Sequence, residues 1–313
     1  MKDEGEINDF LGIKVERDTN AGTITLTQPG LIESVCKDLG LDGERVHSKK
    51  TPATQILHAD PDGAPRQETW NYRSVIGKLN FIAANTRPDI SMAVHQAARY
   101  SANPKAIHEV AVKHIGRYLH HTRTKGLILR PKPDKTLNAY VDADFAGRWH
   151  QNYAHLRDSV LSRTGYVLTF CGCPVLWASK LQSEVALSTT EAEYIALSTC
   201  MRELLPMRTL LQDITTYSFI SDMECGQSTT FAKTLETSNI YEDNASCIVV
   251  ATTDQMRPRT KHIGVKWHFF KDHISNGDAR VVKVDSKENW ADIFTKPLTQ
   301  AKFEYICHLM MGW

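Results

Sequence analysis

The spacing of apolar residues changes near residue 130, and this change limits the possible folds more than any other feature. Before it, apolar residues recur every three or four positions across 70–124, which is typical of amphipathic helices. After it, short apolar or alternating runs indicate strands, and helices and strands then alternate. This order predicts an α/β or α+β fold with a domain boundary close to residue 130.

The same pattern places the individual elements. Strands are predicted at 10–15, 23–27, 127–130, 137–144, 166–171, 174–178 and 279–284, with another ending near residue 243. Helices are predicted from Pro29 to about residue 41, in three pieces across 70–124, at about 190–211, after residue 243 and at about 288–296. Residues 42–69 and 213–238 are predicted to be loops or insertions.

Composition excludes several classes of protein. No stretch is long and apolar enough to cross a bilayer, and the acidic first ten residues do not resemble a signal peptide. The seven cysteines are an odd number without the paired spacing of zinc knuckles, which favours a reducing intracellular compartment. The net charge of +1 leaves a nucleic-acid partner open, because the distribution of charge matters more than its sum.

Asp142 and Glu193 are candidate site residues, although an exposed carboxylate at the end of a strand also explains Asp142 when it is taken alone. Asp142 lies near the end of the alternating run LNAYVDAD (137–144), on the face opposite the apolar side chains. Glu193 in TTEAEY (189–194) is in line with apolar residues on the following helical turns, so we expect its carboxylate to face the interior. Glu191 lies on a more polar stripe, where favourable placement in the first helical turn explains it.

Asp243 and Asp292 each have an ordinary explanation. Asp243 precedes a predicted helix, where acids are preferred caps, and Asp292 suits a solvated helix position. Taken together, however, the four acids follow one another at intervals of about fifty residues. Four different elements can therefore each bring one carboxylate to a two-metal site. Oxygen ligands favour Mg²⁺ or Mn²⁺ over zinc.

Around these acids the sequence resembles the ribonuclease H domain of copia-type LTR retrotransposons. The matching stretches are YVDADFAG (140–147), SRTGYVLTF (162–170), VLWASKLQSEVALSTTEAEYIALS (175–198), YEDNASCIVVA (241–251), RTKHIGVKWHFFKDHI (259–274) and ADIFTKPL (291–298). Upstream, three stretches resemble the end of that family's reverse transcriptase and its connection: DFLGIKV (9–15), YRSVIGKLNFIAANTRPDISMAV (72–94) and HIGRYLHHTRTKGLIL (114–129).

The resemblance implies a ribonuclease H-like α/β (α+β) fold. A mixed five-stranded sheet with helices on its faces would follow a mostly helical thumb and connection region of a reverse transcriptase. The implied domains are the end of the polymerase palm and thumb at 1–60, a helical connection at 61–130 and the ribonuclease H domain at 131–313.

The resemblance also assigns candidate site residues. The catalytic, metal-binding acids fall on Asp142, Glu193, Asp243 and Asp292, which would hold two Mg²⁺ or Mn²⁺ ions. Candidates for contact with an RNA–DNA hybrid are Ser188, Thr189, Thr190, Asn244, Lys180, Lys261 and His262, and further site candidates are Asp144 and Glu191. Two features depart from the family: the polymerase's own catalytic acids are absent from this chain, and no histidine shortly precedes Asp292.

The expected function is two-metal hydrolysis of the RNA strand of an RNA–DNA hybrid, recognised by its 2′-hydroxyls and groove shape. The expected partners are the hybrid and the polymerase part of the same polyprotein, without a membrane or a small-molecule cofactor. The expected location is intracellular, in a cytoplasmic virus-like particle or the nucleus. Alternatives are a degenerate, non-catalytic fragment that only binds nucleic acid, or a structural connection module. An integrase-type transferase fits less well, because its glutamate comes last in the order of acids.

Overall fold

Two hydrophobic cores organise the chain. The computed structural model describes residues 5–43, 46–156, 159–224, 235–253 and 269–313. One core gathers the N-terminal helices and the C-terminal end of the chain, and the other lies between a five-stranded sheet and a long helix. None of the described helices combines the length and the apolar composition that crossing a bilayer requires.

The N-terminal region combines a four-stranded antiparallel sheet with four helices. Its strands, in spatial order, are β1 (Asp9–Phe10), β2 (Ile13–Asp18), β3 (Thr23–Thr27) and β4 (Leu127–Leu129). Its helices are α1 (Pro29–Asp38), α2 (Tyr72–Asn85), α3 (Ser91–Ala98) and α4 (Ala106–His121). A 3-10 turn at Pro88–Ile90 separates α2 from α3, and α2, α3 and α4 are the three helical pieces predicted across 70–124.

The second region is built on a mixed five-stranded sheet. Its strands are β5 (Leu137–Asp144), β6 (Arg163–Phe170), β7 (Cys173–Leu181), β8 (Ser238–Glu242) and β9 (Ala279–Lys283). The spatial order is β7-β6-β5-β8-β9, with antiparallel pairing from β7 to β5 and parallel pairing from β5 to β9. The predicted mixed sheet of a ribonuclease H-like fold is confirmed.

Among the described residues, three helices accompany this sheet: α5 (Thr189–Glu224), α6 (Ala245–Thr252) and α7 (Lys271–Ser275). The N-terminal half of α5 packs its apolar side chains on the face of β5 that carries Leu137, Ala139 and Val141. The loop predicted from residue 213 is wrong up to residue 224, where α5 continues, because extending a formed helix costs little.

The C-terminal segment differs from its prediction. The helix expected at about 288–296 is a 3-10 helix, Trp290–Phe294, and a further helix that was not predicted, α8 (Gln300–Met311), follows it. Pro297 lies between them and lacks the N–H that a continuous helix needs. The apolar face of α8 packs into the core of the N-terminal region. The chain therefore passes from the second sheet back to the first core.

Candidate metal centre

Three carboxylates meet at one edge of the second sheet. Asp142 lies on β5, Glu193 lies near the start of α5, and Asp243 directly follows β8. A carboxylate oxygen from each lies within 4.8 Å of the others. Because β5 and β8 are parallel neighbours, their carboxyl ends reach the same edge of the sheet. The structure thus brings together three of the four acids that the sequence singles out.

The start of α5 separates the roles of its two glutamates. The hydroxyl of Ser188 accepts a hydrogen bond from the N–H of Glu191 at 3.1 Å, and the Glu191 carboxylate accepts one from the N–H of Leu187 at 2.8 Å. These contacts cap the helix, so Glu191 is engaged at the helix terminus. Glu193 faces the other two acids instead. Ser188 and Thr189 are exposed and Thr190 is half-buried.

The fourth acid, Asp292, is brought beside β5 by Asn289. The side-chain amide of Asn289 donates to the carbonyl of Val141 at 2.9 Å, while its oxygen accepts from the N–H of Ala291 at 3.1 Å. Asp292 is only 1% exposed, so its ordinary explanation as a solvated helix residue is wrong. Its Oδ1 lies 2.5 Å from Nζ of Lys296, and its Oδ2 pairs with Lys302. Asp292 is therefore held by two ammonium groups rather than joined to the cluster of three.

Two residues that follow Asp292 reach Asp142. The Thr295 hydroxyl donates a hydrogen bond to Oδ2 of Asp142. Nζ of Lys296 lies 3.5 Å from the same oxygen. Lys296 thus lies between the carboxylates of Asp142 and Asp292.

A glycine permits this close approach. Gly165 on β6 is paired directly with Asp142 on β5. A Cβ atom at this position would lie 2.7 Å from Cγ2 of Thr295 and 2.8 Å from Cβ of Phe294. Any larger side chain would push the 3-10 segment away from the sheet.

Burial and repulsion between carboxylates raise the pKa values of Asp142 and Glu193. Burial raises the pKa of Asp142 to about 7, with Lys296 opposing this rise and Asp292 adding to it. Burial also raises the pKa of Glu193 to about 11, and the carboxylate of Glu242 adds to that shift. Carboxylates crowded together away from water resist ionisation unless a cation joins them.

Glu242 is a site residue that sequence reasoning missed. It is fully buried, its Oε1 accepts a hydrogen bond from the N–H of Asn244 at 2.9 Å, and burial raises its pKa to about 8. Within the described ranges, Oε2 of Glu242 and Oε2 of Glu193 have no hydrogen-bond partner. Alternation along β8 could have identified it, because Ser238, Ile240 and Glu242 share the buried face.

The remaining candidates that the structure describes lie outside the cluster of three. Asn244 caps α6 by accepting a hydrogen bond from the N–H of Cys247 at 2.9 Å, and Lys180 is exposed on β7. Asp144 is half-buried outside the cluster of three, and burial raises its pKa while Lys296 opposes the rise. Lys261 and His262 lie outside the described residues.

The chemistry of these side chains suits a divalent cation. The three clustered ligands are all carboxylates, the oxygen donors that Mg²⁺ and Mn²⁺ prefer. The unpartnered Oε2 of Glu193 is a buried acceptor available to an ion. A bound cation would also relieve the repulsion that raises the pKa values of Asp142 and Glu193. Asp142, Glu193 and Asp243 could therefore hold a metal.

A solved structure resembles the chain weakly. It is the foamy viral protease-reverse transcriptase in complex with an RNA/DNA hybrid, and it aligns over 88% of this chain and 29% of its own. The identity is 12% and the TM-score is 0.42, too low to support an argument.

Curated proteins are far more similar. No family model matches the chain. It is 33% identical to the retrovirus-related Pol polyprotein from transposon TNT 1-94 of Nicotiana tabacum, over 100% of this chain and 22% of that protein. It is 28% identical to the corresponding polyprotein from transposon RE1 of Arabidopsis thaliana, over 97% and 19%. A putative transposon Ty5-1 protein of Saccharomyces cerevisiae is 31% identical, over 65% and 63%. The chain spans about a fifth of the length of the two plant polyproteins, and it belongs to the retrovirus-related Pol polyproteins of copia-type transposons.

Proposed function

We propose that this part of a Pol polyprotein is a metal-dependent ribonuclease H that cleaves the RNA strand of RNA–DNA hybrids. The observation that carries the proposal is the meeting of the carboxylates of Asp142, Glu193 and Asp243 at the carboxyl edge of a β7-β6-β5-β8-β9 sheet. Three acids from three separate elements, converging within 4.8 Å, exceed what helix capping or strand ends require. The family's retrotransposon origin agrees with a role in processing nucleic acid.

In this proposal the three clustered acids supply the ligand oxygens, and Asp292 is the fourth. These residues would hold a pair of divalent cations, which would supply activation of a water and stabilisation of the charge on the scissile phosphate. The Thr295 hydroxyl orients Asp142 by bonding one of its oxygens. Burial of Asp142 and Glu193 excludes bulk water, which strengthens their interaction with a cation.

The substrate side of the proposal rests on residues around the cluster. Exposed Lys180, together with Asn244 and the hydroxyl residues 188–190, would contact the sugar–phosphate backbone, and Lys261 and His262 join them by resemblance. Such contacts make binding dependent on salt and tolerant of base sequence. The proposed domains are 1–60, 61–130 and 131–313, the proposed partner is the polymerase part of the polyprotein, and the proposed setting is a virus-like particle or the nucleus.

The test is a cleavage assay with an end-labelled RNA–DNA hybrid and Mg²⁺, with double-stranded DNA and RNA of the same sequence as comparison substrates. Asp142→Asn and Glu193→Gln should each remove nearly all cleavage. Glu203→Gln changes the same group two to three turns further along α5 and should leave cleavage intact. Chelation of the metal should abolish cleavage by the wild-type protein.

The alternative of a fragment that only binds nucleic acid gives a different result. The wild-type protein would then bind the hybrid without cutting it, whatever metal is supplied. That result, or undiminished cutting by Asp142→Asn, would overturn the proposed nuclease.

A further inference from the structure

A lysine ammonium fills the space between two of the proposed ligand carboxylates. Nζ of Lys296 lies 2.5 Å from Oδ1 of Asp292 and 3.5 Å from Oδ2 of Asp142. The two ions of a two-metal centre lie roughly 3.5–4 Å apart. A single positive charge shared by Asp142 and Asp292 has the placement expected of one of those two ions.

The other side of Asp142 is different. Its carboxylate groups with those of Glu193 and Asp243 within 4.8 Å. Among the residues that the structure describes, no lysine or arginine forms an ion pair with Glu193 or Asp243. Within the described residues, Glu193 and Asp243 thus lack a lysine or arginine partner, whereas Asp142 and Asp292 share Lys296.

Lys296 is placed so that it can leave. Its side chain is 42% exposed, whereas the side chains of its partners Asp292 and Asp142 are 1% and 3% exposed. Asp292 would keep a counter-charge without it, because Nζ of Lys302 also pairs with Asp292 and is anchored to the carbonyl of Ser286 at 2.8 Å. An ammonium moving into water regains its hydration, so its departure costs less than that of a buried group.

We propose that Lys296 is an internal cation that occupies one of the two positions of the metal centre, so that divalent ions enter in a fixed order. The first binds among Asp142, Glu193 and Asp243. The second binds between Asp142 and Asp292 only after the Lys296 side chain has swung into solvent. This inference rests on the proposed function for the presence of a two-ion centre.

The experiment measures ion binding without nucleic acid. The full chain is titrated with Mn²⁺, free Mn²⁺ is followed by electron paramagnetic resonance, and calorimetry with Mg²⁺ supplies a second isotherm. The wild-type protein should bind one ion well and a second weakly. Lys296→Met should bind the second ion at least about tenfold more tightly, which corresponds to about 1.4 kcal/mol.

Two matched variants isolate the position of the charge. Lys287→Met removes an exposed lysine five residues before Asp292 and should bind ions as the wild-type protein does. Lys296→Arg keeps the positive charge and should also retain the weak second site. Without metal, Lys296→Met should melt at a lower temperature than the wild type, and it should gain more from added Mg²⁺.

If the wild-type protein binds two ions with equal affinity, the inference is overturned. This measurement does not depend on whether any variant folds. Unchanged or weaker binding of the second ion by Lys296→Met would overturn it as well. The outcome is independent of the nuclease assay: a protein that fails to cut hybrid can still show ordered ion binding, and an active nuclease can lack it.

Discussion

Replacing Glu193 with glutamine should make the metal-free protein more stable at neutral and alkaline pH, although it removes one of the proposed metal ligands. Burial raises the pKa of Glu193 from its ordinary value of 4.5 to about 11, and the neighbouring Glu242 adds to the shift. Glutamine has nearly the same shape and carries no ionisable proton. The substitution therefore removes the cost of keeping this carboxyl group protonated while leaving the packing nearly unchanged.

The direction of the pH dependence follows from whether the folded or the unfolded state binds the Glu193 proton more tightly. The folded protein holds the Glu193 proton more strongly than the unfolded chain does, so its stabilising contribution is complete below about pH 4.5 and declines as the pH rises towards 11. Over that window the loss is at most about 1.4 kcal/mol per pH unit. Between pH 5 and pH 8 we expect a loss of about 2–4 kcal/mol, because Asp142 and Glu242 share part of the same repulsion.

The assay is urea unfolding at pH 5, 6.5 and 8 with a chelator present. The free energy of unfolding of Glu193→Gln should exceed that of the wild type by a margin that grows with pH, whereas Glu203→Gln on the same helix should follow the wild type. Saturating Mg²⁺ should reverse the order at pH 8, because only the wild type retains all of its ligands. A margin that does not change with pH, or a variant that is less stable than wild type in chelator at pH 8, would refute this reasoning.

Three further predictions concern Gly165, Asp89 and Asp142. Gly165→Ala should lower the free energy of unfolding by about 1–3 kcal/mol and weaken Mn²⁺ binding, because the added Cβ displaces Thr295; unchanged urea midpoints and Mn²⁺ isotherms would contradict it. Asp89→Ala should cost about 3–5 kcal/mol in urea unfolding, because it leaves the fully buried guanidinium of Arg87 without its carboxylate partner; a loss under 1 kcal/mol would count against that pairing. Mg²⁺ affinity measured by calorimetry should rise from pH 6 to pH 8, because Asp142, with a pKa of about 7, must lose its proton to bind a metal; equal affinity at both values would exclude this coupling.

Much of the site was accessible from the sequence because it depends on local periodicity. Alternation along β5 placed Asp142 opposite the buried face of Leu137, Ala139 and Val141, and the helical stripe placed Glu193 inward. Both inferences use only the repeat of a strand or a helix. The same alternation along β8 places Glu242 on the buried face with Ser238 and Ile240, so this position was also predictable from the sequence.

The environment of Asp292 could not be read in this way. Its position before Pro297 also suited a solvated helix, yet it is buried in a short 3-10 segment held by Asn289. Its two ammonium partners come from Lys296, one turn away, and from Lys302 on α8. Whether a lysine turns towards an acid or towards water depends on tertiary contacts, which the order of residues does not specify.

Helix α8 itself was predictable, but its destination was not. Phe303, Ile306, Cys307 and Met310 follow helical spacing, so the sequence contains an amphipathic helix. Nothing in that spacing shows that the helix packs on the N-terminal core, where it also contacts β7 of the second sheet. A boundary near residue 130 describes the change in secondary structure, whereas the packing crosses it.

Because the packing crosses this boundary, Asp292 is held partly by contacts with the N-terminal region. Asp292 lies beside β5, but its neighbours Ile293 and Phe294 belong to the N-terminal core. The two regions are joined around it by side chains from the second sheet: Trp177 donates to the carbonyl of Ala83 at 2.8 Å, and Arg163 contacts Nδ1 of His95 at 2.9 Å. A closely packed interior transmits displacement instead of absorbing it. The helices of the N-terminal region therefore help to set the distance between Asp292 and Asp142, and the five-stranded sheet separated from them would lose one of the supports that hold the Asp292 carboxylate in place.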